Sequence, residues 1–154
     1  MHQRGPYAAT AKLIKEISNA PNDSVVPQRI LQLMPCFSLP QYAYFHGYNV
    51  EIYMLECTKR FEETEFIGDW NSTFVEESDE FHKDPLIWLQ LNWQRRGFDR
   101  VDIILVFEST YKKVKMFLDA RNFKQIDCTF HTQFIVSSWQ DNHIVTLRRI
   151  NKDV

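Results

Sequence analysis

The stretch "VDIILVF", Val101 to Phe107, constrains this chain more than any other. Val101, Ile103, Leu105 and Phe107 share one face, and Ile104 and Val106 make the other face apolar too. A strand apolar on both faces needs cover on both, so it belongs in the middle of a sheet. A helical pattern follows. Val114, Phe117 and Leu118, with Tyr111 at the start, form one stripe, while Lys112, Lys113 and Lys115 face water. Ser109 or Thr110 can cap this helix, which should run to Arg121, a cation favoured near the C-terminal dipole. Asn122 can adopt the left-handed conformation that ends a helix. "FKQIDCTFH" then returns to a period of two, with Ile126, Cys128 and Phe130 on one face. Residues 95–131 therefore read as strand, helix, strand.

Upstream, Thr10 can cap a short helix through Asn19 that Pro21 ends. Ser24 can cap a second helix, in which Val26, Ile30, Leu33 and Met34 form a stripe stopped by Pro35. "CFSLPQ" reads as a linker. In "GYNVEIYMLEC" the residues Val50, Ile52 and Met54 can face inward along a strand. A helix from Lys59 to Asp69 is preferred over a hairpin turning near Gly68-Asp69. "PLIWLQLNWQ" alternates, with Ile87, Leu89, Leu91 and Trp93 on one side, which predicts a half-buried antiparallel strand. "QFIVSSW" and "HIVTLRRI" are strand-like runs joined by a turn at Gln140 to His143. The expected fold class is α+β: a mostly antiparallel sheet with helices on one face, an N-terminal helical pair, and a C-terminal β-hairpin extension. Residues 1–40 would be a helical extension packed on an α+β domain at residues 41–154.

At 154 residues the chain can bury a core without staples. Its net charge of −2 gives no global basic signature for nucleic acid or anionic membrane. Cys36, Cys57 and Cys128 are odd in number and widely spaced, which points to reduced thiols in a cytoplasmic or nuclear protein. The N-terminus lacks an apolar signal core, so the sequons at Asn22 and Asn71 read as accidental. No apolar run is long enough to span a bilayer. Charge is segregated: residues 51–84 hold eleven acidic and three basic residues, and residues 95–124 hold eight basic and four acidic. Aromatic residues make up 14% of the chain, more than a small core readily buries, so some should form a contact surface.

Residues 86–130 resemble the second half of an RNA-recognition motif, a family with a ferredoxin-like fold. The resemblance rests on "RGFDRVDI", where Arg96, Gly97, Phe98 and Val101 agree with the family's octapeptide. Asp99, Arg100 and Ile103 depart from it. "IYMLEC" is similar to the family's hexapeptide through Ile52, Tyr53 and Met54, while Glu56 and Cys57 depart. The resemblance implies base stacking on Tyr53 and Phe98. Trp88 would join them, beside a basic rim of Arg95, Arg96, Arg100, Lys112, Lys113 and Lys115.

These features are compatible with three functions. The expected one is a non-catalytic protein–protein interaction module, a scaffold, adaptor or homodimerising domain in a regulatory or ribonucleoprotein assembly. Its partner would be another protein or a second copy of the chain, with no membrane, metal or small-molecule cofactor. The second is single-stranded RNA binding by the residues just named. The third is a small enzyme using Cys128, His131, His46, His82 or Cys57, although no metal, phosphate-loop or nucleophile motif is present. No catalytic residue is assigned on this reading. Cys128 and His131, three apart in a strand, point to opposite faces.

Overall fold

The computed structural model describes residues 5–18, 26–35, 38, 44–56, 60–61, 74–131 and 141–150. Its elements in chain order are α1 (Gly5–Ser18), β1 (Gln28–Leu33), β2 (Val50–Met54), β3 (Arg60–Phe61) and β4 (Phe74–Val75). Then come α2 (Glu77–Lys83), α3 (Pro85–Asn92), a 3-10 turn (Phe98–Arg100), β5 (Ile103–Phe107), α4 (Glu108–Asp119), β6 (Phe123–Phe130) and β7 (His143–Arg149).

As its two apolar faces require, β5 is buried at every position and lies in the middle of a five-stranded sheet ordered β2-β1-β5-β7-β6. Ile30 of β1 pairs with Ile103 in a parallel register, and Arg148 of β7 pairs with Ile103 in an antiparallel one. β3 and β4 form a separate antiparallel pair. The strand–helix–strand reading holds, with one refinement: β7 is inserted between β5 and β6. Val114, Phe117, Leu118 and Tyr111 are buried, and Lys112, Lys113 and Lys115 are exposed. The helix starts at Glu108, with Phe107 in the cap position and no side-chain cap, so neither Ser109 nor Thr110 plays that part. Asn122 has φ 64°, the left-handed stop its position called for.

The class is α+β, but the sheet is mixed rather than mostly antiparallel, because β1 and β2 both run parallel to β5. Helices cover both faces rather than one. Leu31, Leu33, Ile104, Val106, Val145 and Leu147 pack with α2, α3 and α4, while Ile30, Ile103, Leu105 and Ile144 pack under Leu13 and Ile17 of α1. The second helix expected after Ser24 is instead strand β1. A four-residue stripe at 26, 30, 33 and 34 does not distinguish a short buried strand from a helix, and pairing to β2 and β5 decides the matter.

The segment expected as a strand, residues 85–94, is helix α3 and the turn after it. Pro85 sits at the first helical position, and Asp84 accepts the Ile87 backbone N–H at 3.1 Å. The alternation was misleading because Trp88 and Leu89, adjacent in sequence, are both buried with Trp93, while Ile87 and Leu91 are exposed. The preferred helix at 59–69 fails where it is described: Arg60 and Phe61 form β3, paired antiparallel with Val75 and Phe74 as the competing hairpin required. The hairpin turn near Gly68, the strand-like run at 133–139 and the sequons at Asn22 and Asn71 lie outside the described residues. So do the Ser24 cap, Cys36, Cys57 and most of the "CFSLPQ" linker.

The helical assignment of α3 predicts opposite fates for two leucines that a strand would treat alike. Leu89→Ala should lower unfolding free energy by about 2–5 kcal/mol, and Leu91→Ala should change it by less than about 0.5 kcal/mol, in urea titration.

Candidate functional site

β1, β2, β5 and β6 point the same way, so their carboxyl ends lie along one edge, where antiparallel β7 begins. In sheets with parallel strands, ligand sites form outside such ends. Along this edge stand Glu56 after β2, Pro35 after β1, Glu108 after β5, His143 at the start of β7 and Phe130 at the end of β6.

At one corner, Glu108 Oε1 lies 3.0 Å from Lys112 Nζ, and Oε2 lies 3.5 Å from His143 Nδ1. The His143 ring meets Phe130 edge-on at 5.7 Å, and Phe130 is 50% exposed. Cys128 is exposed on the same strand. Partial burial and the Glu108 and Asp127 carboxylates push its thiol up, which keeps it protonated and a poor nucleophile at neutral pH. Asp127 is held low. Burial raises it, but hydrogen bonds from Thr129 and from Lys12 at 3.0 Å outweigh that.

At the opposite corner, Glu77 is only 2% exposed. Its carboxylate accepts from Arg96 Nη1 and from the Glu56 backbone N–H. Arg96 also donates to the Met54 carbonyl at 3.0 Å and lies over the Phe98 ring at 5.8 Å. Tyr53 meets Phe98 edge-on at 6.1 Å and donates to Glu51 at 2.9 Å. Partial burial and this Glu51 bond raise the Tyr53 hydroxyl.

Of the residues singled out from sequence, Tyr53, Trp88, Phe98 and Arg96 come together here. Phe98 and Trp88 are core residues, so their ring faces are turned inward. Arg95 and Arg100 are exposed on the loop after α3. Lys112 is engaged with Glu108, and Lys113 lies near His82. Cys128, His131 and His46 do not cluster. His131 is buried 5.4 Å from the Phe107 ring, and His46 is exposed in the turn before β2. Among the described residues, no group of three or more His, Cys, Asp or Glu side chains is placed to hold a metal ion. Glu77, Glu108 and His143 were missed by sequence. Glu77 was one of eleven acids in a run, and only the tertiary fold buries it.

No family model matches the chain, and no solved structure does. Curated relatives do. GPI alpha-1,2-mannosyltransferase 3 of Danio rerio is 30% identical over 151 residues, covering 97% of this chain and 26% of its own length. GPI mannosyltransferase 3 of Drosophila melanogaster is 27% identical over 151 residues, 92% of this chain and 25% of its own length. Mannosyltransferase APTG1 of Arabidopsis thaliana is 32% identical over 138 residues, 88% of this chain and 22% of its own length. The chain thus spans about a quarter of the length of the curated relatives it matches.

These similarities overturn the functional expectations from sequence. Relatives named as glycosyltransferases replace the non-catalytic scaffold and the RNA-binding module, and with them the assignment "not an enzyme". The protein or RNA partner, the exclusion of a membrane and the cytoplasmic or nuclear setting give way too, because GPI is a glycolipid. The locally basic stretch and the aromatic excess were real. Among the described residues the aromatics serve mainly the core, as with Trp93 and Phe98 at 5.7 Å.

Arg96→Ala should cost about 3–5 kcal/mol by denaturant unfolding, because it leaves the Glu77 carboxylate buried without its cation. Burial holds His82 and His131 below the ordinary imidazole value of 6.5. The unfolded chain therefore binds protons that the folded chain refuses. Stability is full above about pH 6.5 and falls as pH drops below it, and His131→Gln should flatten a Tm profile recorded from pH 7.5 to 5.

Proposed function

We propose that this chain is part of an alpha-mannosyltransferase acting on GPI glycolipids at the endoplasmic reticulum membrane. The observation that carries the reading is the breadth of the similarity. The fish, fly and plant relatives match 97%, 92% and 88% of the chain, and each is named a mannosyltransferase. Similarity of that extent covers both layers of the core and the carboxyl edge, not one short motif.

In this reading the Glu108, His143 and Phe130 corner takes up part of a glycan. A sugar presents hydroxyls around its rim and apolar C–H groups on its faces. A carboxylate accepts two hydroxyl hydrogen bonds, and an imidazole offers one donor and one acceptor. A half-exposed phenyl ring presents a negative face to the slightly positive C–H hydrogens. All three side chains stand at the ends of sheet strands or at the start of α4, so their spacing is set by rigid elements. We further infer a ferredoxin-like half in β5–α4–β6–β7, whose order β5-β7-β6 is that of a split β-α-β unit.

In microsomes from cells lacking the full-length protein, transfer of labelled mannose to GPI precursors should be lost and should return with the wild-type protein. Phe130→Ala with Glu108→Gln should lower the restored rate about five- to thirtyfold, since a lost hydrogen bond and ring contact remove about 1–2 kcal/mol. Wild-type protein that fails to restore transfer overturns the function. An undiminished rate in the double variant overturns the role of this corner.

A further inference from the structure

The other edge of the sheet, where β6 begins and β7 ends with Phe123 opposite Arg149, holds two arginines on one aromatic cluster. Arg121, in the turn before β6, lies over the Phe117 ring at 3.5 Å and over Trp93 at 5.1 Å. It donates to the Phe117 carbonyl at 3.1 Å. Arg149, at the end of β7, lies over Phe123 at 4.7 Å. It donates to the carbonyls of Val101 at 2.9 Å and Phe98 at 3.4 Å. Trp93 meets Phe117 and Phe123 edge-on at 5.4 and 6.1 Å, which joins the two stacks. Cations held side by side repel. Burial first, and then Arg149, push the Arg121 guanidinium below its ordinary value, and Asp99 offsets them in part. Yet Asp99 accepts the Trp93 indole N–H at 2.7 Å and pairs with neither arginine. Asp119 is engaged with Lys124 at 3.3 Å, and Asp102 with the Arg29 backbone N–H at 3.0 Å. Among the described residues, Arg121 and Arg149 thus have carbonyl and ring partners but no carboxylate. Of five N–H groups each, Arg121 commits one to this chain and Arg149 two. A neutral amide could staple the same carbonyls without the repulsion, so stapling does not account for two fixed charges.

We propose that Arg121 and Arg149 together bind the phosphate group of a phosphorylated ligand. Two guanidinium forks carried on separate rings call for an anion with more oxygens than one carboxylate offers, and a phosphate ester presents three. Ring stacking and carbonyl bonds fix both forks before the ligand arrives, so binding loses little side-chain entropy. Both arginines are partly exposed, which leaves their remaining N–H groups open to an anion from solvent. The phosphate can be free in solution or carried on a lipid headgroup. This edge lies at the far end of the strands from Glu108 and His143, so the inference does not rest on the glycan reading.

The test is a nuclear magnetic resonance titration of the 154-residue chain with inorganic phosphate, against chloride at equal ionic strength. The amides of Arg121, Asn122 and Arg149 and the Trp93 indole N–H should shift saturably with phosphate and not with chloride. A parallel titration with a water-soluble short-chain phosphatidic acid separates the sources. Tighter binding of the lipid assigns a headgroup, and equal or weaker binding assigns a free phosphate. Arg121→Gln and Arg149→Gln should each weaken binding at least about tenfold, because charge-assisted hydrogen bonds are lost. Asp99→Asn keeps an acceptor for Trp93 and removes the competing charge, so it should tighten binding about threefold or more. If the glutamine variants fail to fold, Asp99→Asn decides alone. The absence of a saturable shift overturns the proposal, as do shifts that survive both glutamine variants or an affinity that Asp99→Asn leaves unchanged.

Discussion

β5 is the element on which the remaining structure depends. All of its side chains are buried, and both of its edges are hydrogen-bonded, to β1 on one side and β7 on the other. Such a strand exposes no polar backbone to water, and it can exist only if two layers close over it. α1 supplies one layer through Ala9, Leu13 and Ile17, and α2, α3 and α4 supply the other. Five fully buried large side chains contribute on the order of 10 kcal/mol at about 2 kcal/mol each, so nothing on the surface competes with this arrangement.

Strand direction then fixes where chemistry can occur. Because four of the five strands run the same way, their carboxyl ends and the start of β7 converge on one edge, which gathers Glu56, Glu108, Phe130 and His143 from distant parts of the sequence. The buried Glu77–Arg96 pair anchors one end of that edge by binding the backbone that leaves β2, through the Met54 carbonyl and the Glu56 N–H. The opposite end is held more loosely, by exposed pairs such as Glu108 with Lys112 at 3.0 Å.

Much of the fold was legible in the residues. Periodicity found β2, β5, α4, β6 and β7, and Asn122 marked its turn. Two segments misled. Residues 85–94 alternate well enough to pass for a strand, yet their burial follows the helix, with Trp88, Leu89 and Asn92 inward. Residues 26–34 carry a helical stripe but pair as β1. Both are short apolar runs, for which the periods of 2 and 3.6 fit almost equally well. The candidate site was less legible. Phe98, Trp88, Tyr53 and Arg96 do meet, though as a core corner and its lid.

By itself the sequence determined that a doubly apolar strand must be central, that a lysine-faced helix must lie against its sheet, and that a left-handed residue ends that helix. These are properties of neighbours in the chain, set by steric limits and by the spacing of apolar side chains. Only the tertiary structure decided that β1 and β2 run parallel to β5, that Glu77 finds Arg96, and that Glu108 meets His143. Those pairings join residues far apart in sequence. Their free energy comes from contacts that exist only once the whole sheet has assembled, so no local pattern encodes them.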